Sequence, residues 1–136
     1  MGLIKRFKRT SSQNIPIYFF DTYAFFEIID GNKNYDKYAT KVGIITTKMN
    51  VLELHYGILR KFGREKADYY YDKFVKFAAV IDDTIFKEAS EFKFKLRERK
   101  LSYVDSIGYI MARQKGIPFL TGDKEFEDLE NVEFVK

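Results

Sequence analysis

Short apolar runs, too brief for helices, alternate along this chain with segments of helical period, and that alternation constrains its fold more than any other feature. Residues 17–20 (IYFF), 42–45 (VGII), 78–81 (AAVI) and 117–121 (IPFLT) are β-prone runs of the kind buried on both faces of a parallel sheet, and 132–135 (VEFV) is a candidate fifth strand. Asp21-Thr22 starts a helix that Gly31 and Asn32 stop, and Thr46-Thr47 caps a helix over 48–62 that Gly63 ends. A further helix runs on from Arg64. Asp82-Asp83-Thr84 opens a helix whose Ile85, Phe86, Ala89, Phe92 and Leu96 keep the 3.6 period; Ser102 opens another, carrying Val104, Ile107, Ile110 and Met111 to a stop at Gly116. Strands separated regularly by helices imply parallel pairing through right-handed crossovers. The expected fold is therefore α/β: three α/β/α layers around a central, mostly parallel sheet of four to five strands. Pro16 and Pro118 stand at strand starts, where a missing donor is tolerated.

A length of 136 residues fits one such domain and no second one, since domains of this class run to roughly 100–200 residues. With 46% hydrophobic residues, 14 Phe and 10 Tyr, the chain has ample material for a core. The absence of cysteine excludes a disulfide scaffold, a thiol nucleophile and any cysteine-ligated metal. A single histidine, His55, leaves no multi-histidine cluster and reads as an ordinary helix residue. The net charge of +4 is local: residues 1–14 carry Lys5, Arg6, Lys8 and Arg9 and no acid, and the remainder sets 20 basic residues against 20 acidic ones. The expected organisation is a flexible basic arm over 1–14 and a folded domain over 15–136. The arm reads as a solubilising terminus or as an electrostatic tether to nucleic acid. It lacks the apolar stretch of a secretory signal, and no run approaches the roughly 20 residues of a membrane span, so the expected location is cytoplasmic, without a membrane partner.

In open parallel sheets, ligands bind beyond the carboxyl ends of the strands. Asp21 follows the first strand directly, and Asp123 follows 117–121 in Leu120-Thr121-Gly122-Asp123. Glu53 lies two turns inside the helix after 42–45, and Asp105 falls in the first turn of the helix before 117–121. Three of these acids have plainer structural readings. Asp21 can cap a helix, Asp105 stands three residues after Ser102 as in a capping box, and Asp123 can favour a helix N-terminus. Glu53 resists such a reading, because Met49, Tyr56 and Gly57 give it a mainly apolar face on which an unpaired carboxylate is costly. If the four converge, they cannot all ionise unless a cation neutralises them. Oxygen-only ligands select a hard divalent ion, Mg²⁺ or Mn²⁺, which activates water and supports phosphate chemistry without a protein base.

Other acid-bearing α/β folds fit less well. A receiver-like phosphoacceptor needs an adjacent acid pair after strand one, where only Asp21 stands; Asp21-Thr22-Tyr23 is not the Asp-x-Asp of a haloacid-dehalogenase-type phosphatase; and neither GxGxxG nor GK[ST] occurs.

The ordered set of motifs resembles the PIN domain. It comprises Asp21-Thr22 after an apolar strand, Glu53-Leu54 in the helix after the second strand, Asp105 within Tyr103-Val104-Asp105-Ser106-Ile107 followed by Ala112, and Leu120-Thr121-Gly122-Asp123 followed by Phe126. In size and single-domain form the chain looks like the VapC-like toxins of prokaryotic toxin–antitoxin pairs, and the resemblance covers 17–136. It implies a metal-dependent endoribonuclease acting on single-stranded RNA. In that reading Asp21, Asp105 and Asp123 hold Mg²⁺ or Mn²⁺, Glu53 acts directly or through water, and Thr22 and Thr121 hydrogen-bond the acids or the phosphate. It also implies a small antitoxin that inserts an Arg or Lys near the acids, and a symmetric homodimer. RNA needs cations beside such acids; Arg97, Arg99 and Lys100, just before Asp105, are candidate phosphate contacts, a solvated helix end being their plainer role. Tyr23 and Tyr103 are candidate stacking residues, while Tyr69, Tyr70, Tyr71, Phe74 and Phe77 suit a helix pair or a dimer face. Two other functions stay open: a non-catalytic PIN-like module that binds RNA or protein, and a housekeeping RNA-processing nuclease.

Overall fold

The computed structural model describes residues 14–136, so the basic residues of the arm lie outside the described part. Among the described residues the strands are β1 (Ile17–Phe20), β2 (Gly43–Ile45), β3 (Phe119–Thr121) and β4 (Val132–Phe134), all parallel and in the order β2-β1-β3-β4. The helices are α1 (Thr22–Asp30), α2 (Asp36–Ala39), α3 (Lys48–Phe62), α4 (Arg64–Phe74), α5 (Asp83–Lys95) and α6 (Tyr103–Lys115). Four helix starts and two helix ends follow from local devices. Asp21, Thr47, Asp82 and Ser102 accept backbone N–H groups as N-caps, and Gly31 and Gly116 close α1 and α6 in the left-handed conformation that glycine adopts without strain.

The pleat of β1 divides the core. Phe19 and Phe119 point to one face, where α5 and α6 close over them with Ile85, Ala89, Ile107, Ile110 and Met111; Phe20 and Leu120 point to the other, under Phe25, Leu54, Ile58 and Phe74 from α1, α3 and α4. This is the expected three-layer arrangement. On the α6 side the approach is close enough to require glycine: a Cβ on Gly108 would stand 2.8 Å from Cε1 of Phe19 and 3.3 Å from that of Phe119.

Two features depart from expectation. Residues 78–81 form no strand; a single parallel bridge joins Ala78 to Thr46, through Thr46 N to Phe77 O (3.0 Å) and Ala79 N to Thr46 O (2.8 Å). β2 ends at Ile45, so the run has nothing further to pair with, and it turns away with Val80 88% exposed toward the Asp82 cap. The polar stretch after α1 also carries structure. A 3₁₀ turn (Lys33–Tyr35) and α2 bury Tyr35 and Tyr38, whose hydroxyls donate to Val135 O (2.6 Å) and to the Glu133 carboxylate, strapping β4 to the sheet. Among the described residues, no helix is long and apolar enough to cross a membrane.

Candidate active site

The sheet order changes direction at β1, with β2 on one side and β3 on the other, and in open parallel sheets ligands bind at such a point beyond the carboxyl ends of the strands. Asp21, the residue after β1, stands there and is only 4% exposed. Its Oδ1 accepts from Ala24 N at 2.8 Å, and the Thr121 hydroxyl also bonds its carboxylate. Burial pushes its pKa up to about 8, the bonds from Thr121 and Ala24 partly offset that, and the charges of Asp105 and Asp123 raise it further.

Thr121, the fully buried last residue of β3, serves two acids. Its Oγ1 accepts from Asp123 N at 3.0 Å while the same side chain bonds Asp21. Asp123 in turn starts a 3₁₀ turn, its Oδ1 accepting from Glu125 N at 3.0 Å. The link between them must be Gly122, since a Cβ there would lie 2.3 Å from the Tyr23 ring and 2.5 Å from Val135 O. The turn that presents Asp123 is therefore pressed between α1 and the end of β4.

Asp105 and Ser102 complete a capping box: Asp105 N donates to Ser102 Oγ and Ser102 N to Asp105 Oδ2, both at 3.0 Å. Burial raises the Asp105 carboxyl, the Ser102 bonds counter this, and Asp123 and Glu125 raise it again. Glu53, half-buried on α3, accepts at 2.7 Å from the Thr22 hydroxyl. Burial raises its pKa, Thr22 lowers it, and the charge of Asp105 raises it.

The four acids are thus electrostatic neighbours. Asp21 feels Asp105 and Asp123, Glu53 feels Asp105, and Asp105 feels Asp123. They do not close around one point; among the described residues no three acidic or histidine side chains stand close enough together to share a metal ion. Each acid except Glu53 also serves a backbone cap, and that second duty spreads the carboxylates. The donor chemistry nevertheless fits a hard cation. All four groups are oxygen ligands, His55 is paired with Asp68 at 2.8 Å, and Asp21 is a carboxyl held protonated by burial, which a divalent charge would ionise.

One site residue was missed by sequence reasoning. Asn50 is 2% exposed and links two threonines: the Thr47 hydroxyl donates to its Oδ1 at 2.6 Å, and its Nδ2 donates to Thr22 Oγ1 at 3.2 Å. Thr22 then donates to Glu53, so Thr47, Asn50, Thr22 and Glu53 form a directed chain of hydrogen bonds. The spacing of Thr47, Asn50 and Glu53 at three-residue steps on one helical face was the available signal.

The three candidate phosphate contacts fare differently. Arg99 forks both Asp128 oxygens at 2.8 Å and also donates to Glu125 O at 2.8 Å, so its guanidinium is committed to the turn after Asp123. Arg97 donates to Phe94 O at 3.0 Å, closing the end of α5, and lies over the Phe94 ring. Lys100 is exposed. An unexpected cation, Lys136, sits 5.8 Å from the centre of the Tyr23 ring.

Comparison with known proteins follows the same outline. The PIN domain family model matches residues 18–132. No curated protein sequence matches the chain. Among solved structures it is similar to the sarcin-ricin loop cleaving toxin VapC20 of Mycobacterium tuberculosis, with a TM-score of 0.73 and 18% identity over 88% of this chain and 99% of that one. It is also similar to DNA-bound VapBC from Salmonella typhimurium (TM-score 0.67, 16% identity, 88% of this chain and 96% of that one). A toxin–antitoxin complex from Klebsiella pneumoniae gives a TM-score of 0.66 at 17% identity, over 85% of this chain and 95% of that one. At such identities the likeness is one of fold, and the family match extends it to sequence: the chain belongs to the PIN domain family.

Proposed function

We propose that this protein is a divalent-cation-dependent endoribonuclease that cleaves phosphodiester bonds of single-stranded RNA, and that it is the toxin of a toxin–antitoxin pair. The observation that carries this reading is Asp21, a buried carboxyl at the end of the central strand, surrounded by the charges of other acids. A fold gains no stability from collecting like charges around a buried acid, so their placement points to a ligand of opposite sign. The fold likeness to VapC20 and to antitoxin-bound complexes supports the same substrate and partner.

In this reading Asp21, Asp105, Asp123 and Glu53 would hold Mg²⁺ or Mn²⁺ once the ion draws them together from their present spread, and Thr22 and Thr121 would support them. Bound there, such an ion supplies an activated water and offsets the charge of the phosphate. The protein's own contribution is orientation. Thr121 fixes Asp21 and the backbone of Asp123 together, Thr22 aims Glu53, and burial of Asp21 keeps solvent from screening the site. A small antitoxin presenting Arg or Lys to these carboxylates would compete with the cation and silence the site. The basic arm over 1–14 is an added RNA tether on the domain over 15–136, and a second copy of the chain is a further partner.

The spread of the carboxylates favours a second reading, a PIN-like module that binds without cleaving. Thermal melting with added Mn²⁺, run beside cleavage of a labelled single-stranded RNA, separates the two. A nuclease gains stability with rising Mn²⁺, loses that gain in Asp21→Asn, and cleaves at least about 100-fold more slowly as Asp105→Asn. A wild-type protein that neither gains stability nor cleaves is a binding module.

A further inference from the structure

We propose that the C-terminal end of α5 and the first turn of α6 form a stacking platform for single-stranded RNA beside Asp105. Phe94 and Tyr103 receive bases there, and Lys93, Lys95, Arg97 and Lys100 meet phosphates. This inference rests on the ribonuclease reading and adds how the substrate strand is held next to the acids.

Large rings are usually buried, yet Phe94 is 65% and Tyr103 69% exposed. Among the described residues neither ring stacks on another aromatic side chain; each instead carries a cation, Arg97 at 4.4 Å from the Phe94 centroid and Lys93 at 5.0 Å from that of Tyr103. Two exposed rings, each flanked by positive charge, match a ligand that alternates flat bases with anionic phosphates. The segment 93–100 supports this with five basic residues against the single acid Glu98, in a domain whose basic and acidic residues are equal in number. With Arg99 committed to Asp128, Lys95 and Lys100 remain exposed along the same stretch. A partner protein would cover the rings without needing this charge, and duplex RNA hides its base faces, so a single strand is the fitting occupant. Tyr103 opens α6 and Asp105 lies in the same first turn, so a strand that reaches the Tyr103 ring arrives at the helix end that carries the acid.

The test measures binding of a short fluorescein-labelled single-stranded RNA of mixed sequence in EDTA, where metal-dependent cleavage cannot run. Phe94→Leu and Tyr103→Leu should each weaken binding about tenfold while leaving duplex RNA unaffected. Their exposure makes loss of folding an unsuitable explanation, and Lys95→Glu with Lys100→Glu gives an independent variant whose salt dependence should flatten by about 0.7 per lost phosphate contact. RNA carrying 4-thiouridine should cross-link to peptides containing Phe94 or Tyr103. Unchanged affinity with cross-links elsewhere overturns the platform, as does unchanged RNA affinity with weakened self-association in sedimentation, which would give the rings to a second copy. Cleavage in Mn²⁺ is scored separately. Cleavage with KM unchanged in the ring variants removes the platform and leaves the nuclease; ring-dependent binding by a wild-type protein that does not cleave keeps the platform and removes the nuclease.

Discussion

The site has two halves that are held by different means. Asp21 and Asp123 at the strand ends, with Asp105 in the first turn of α6, are fixed by backbone N–H groups within three residues of themselves, and Thr121 ties Asp21 to Asp123 across the gap between β1 and β3. On α3, Glu53 is fixed by side chains alone, through a chain that begins at Thr47, passes Asn50 and crosses to Thr22 on α1. Backbone caps hold their acids wherever the local chain folds; a side-chain relay holds its acid only while two separate elements stay docked. The strand-end half should therefore govern how the protein responds to pH and charge, and the helix half how well Glu53 is aimed.

The largest expected effect is on pH dependence without metal. Burial holds Asp21 at a pKa of about 8 in the folded state against an ordinary 3.8, so between those values the folded state keeps a proton that the unfolded state has lost. Stability must then fall as pH rises from about 4 to about 8 and level off above, by as much as several kcal/mol. The raised Glu53 and Asp105 carboxyls act in the same direction. Melting curves in EDTA across this range should slope downward for the wild type and flatten in Asp21→Asn, which keeps the shape without the charge. Parallel slopes in the two proteins would show that Asp21 is not the controlling acid.

The halves were unequally legible in the sequence, and the reason is the same difference. Caps are written locally: Asp21 before a helical stretch, Ser102 three residues before Asp105, and Thr47 before Lys48 all announce themselves, and the structure uses each as a cap. The relay was harder to read: the three-residue steps of Thr47, Asn50 and Glu53 lie within one helix, but the link from Asn50 to Thr22 spans 28 residues of chain. The same limit explains the run at 78–81, whose β propensity had no neighbouring strand to satisfy it beyond Thr46, and the polar stretch after α1, where Tyr35 and Tyr38 are buried by contacts with β4 near the far end of the chain. It explains Arg99 too, whose partner Asp128 lies in a turn that propensity does not place beside it. Layer order and the caps of Asp21 and Asp105 were readable, and Thr22 and Thr121 were expected to bond the acids; the Asn50 link that joins α3 to Thr22 was not.

A double-mutant cycle measures whether the halves are as separate as they look. Asn50→Leu removes the centre of the relay: the buried Thr47 hydroxyl loses its acceptor and Thr22 loses a donor, while the Thr22 bond to Glu53 and the residue-50 backbone bond to Thr47 remain, for an expected loss of about 2 kcal/mol in chemical denaturation. Combined with Thr22→Val, the losses should fall short of additive by about 1 kcal/mol, because both changes break the same chain. Combined with Asp123→Asn, they should add. Strong coupling between Asn50 and Asp123 would mean that the strand ends and α3 respond as one unit.

The smallest effect separates a cap that only caps from one that does more. Ser102→Ala removes one reciprocal bond of the α6 box and should cost about 1 kcal/mol, whereas Thr47→Ala removes both the α3 cap and the first link of the relay and should cost more. The two also differ in charge. The backbone N–H and the hydroxyl of Ser102 both support the ionised form of Asp105, so losing the hydroxyl alone should raise that carboxyl further, visible as a shifted carbon resonance in an NMR titration, while Thr47→Ala leaves Asp105 in place. Equal destabilisation by the two alanines, with Asp105 unmoved in both, would reduce Thr47 to an ordinary cap and leave Thr22 alone to hold Glu53.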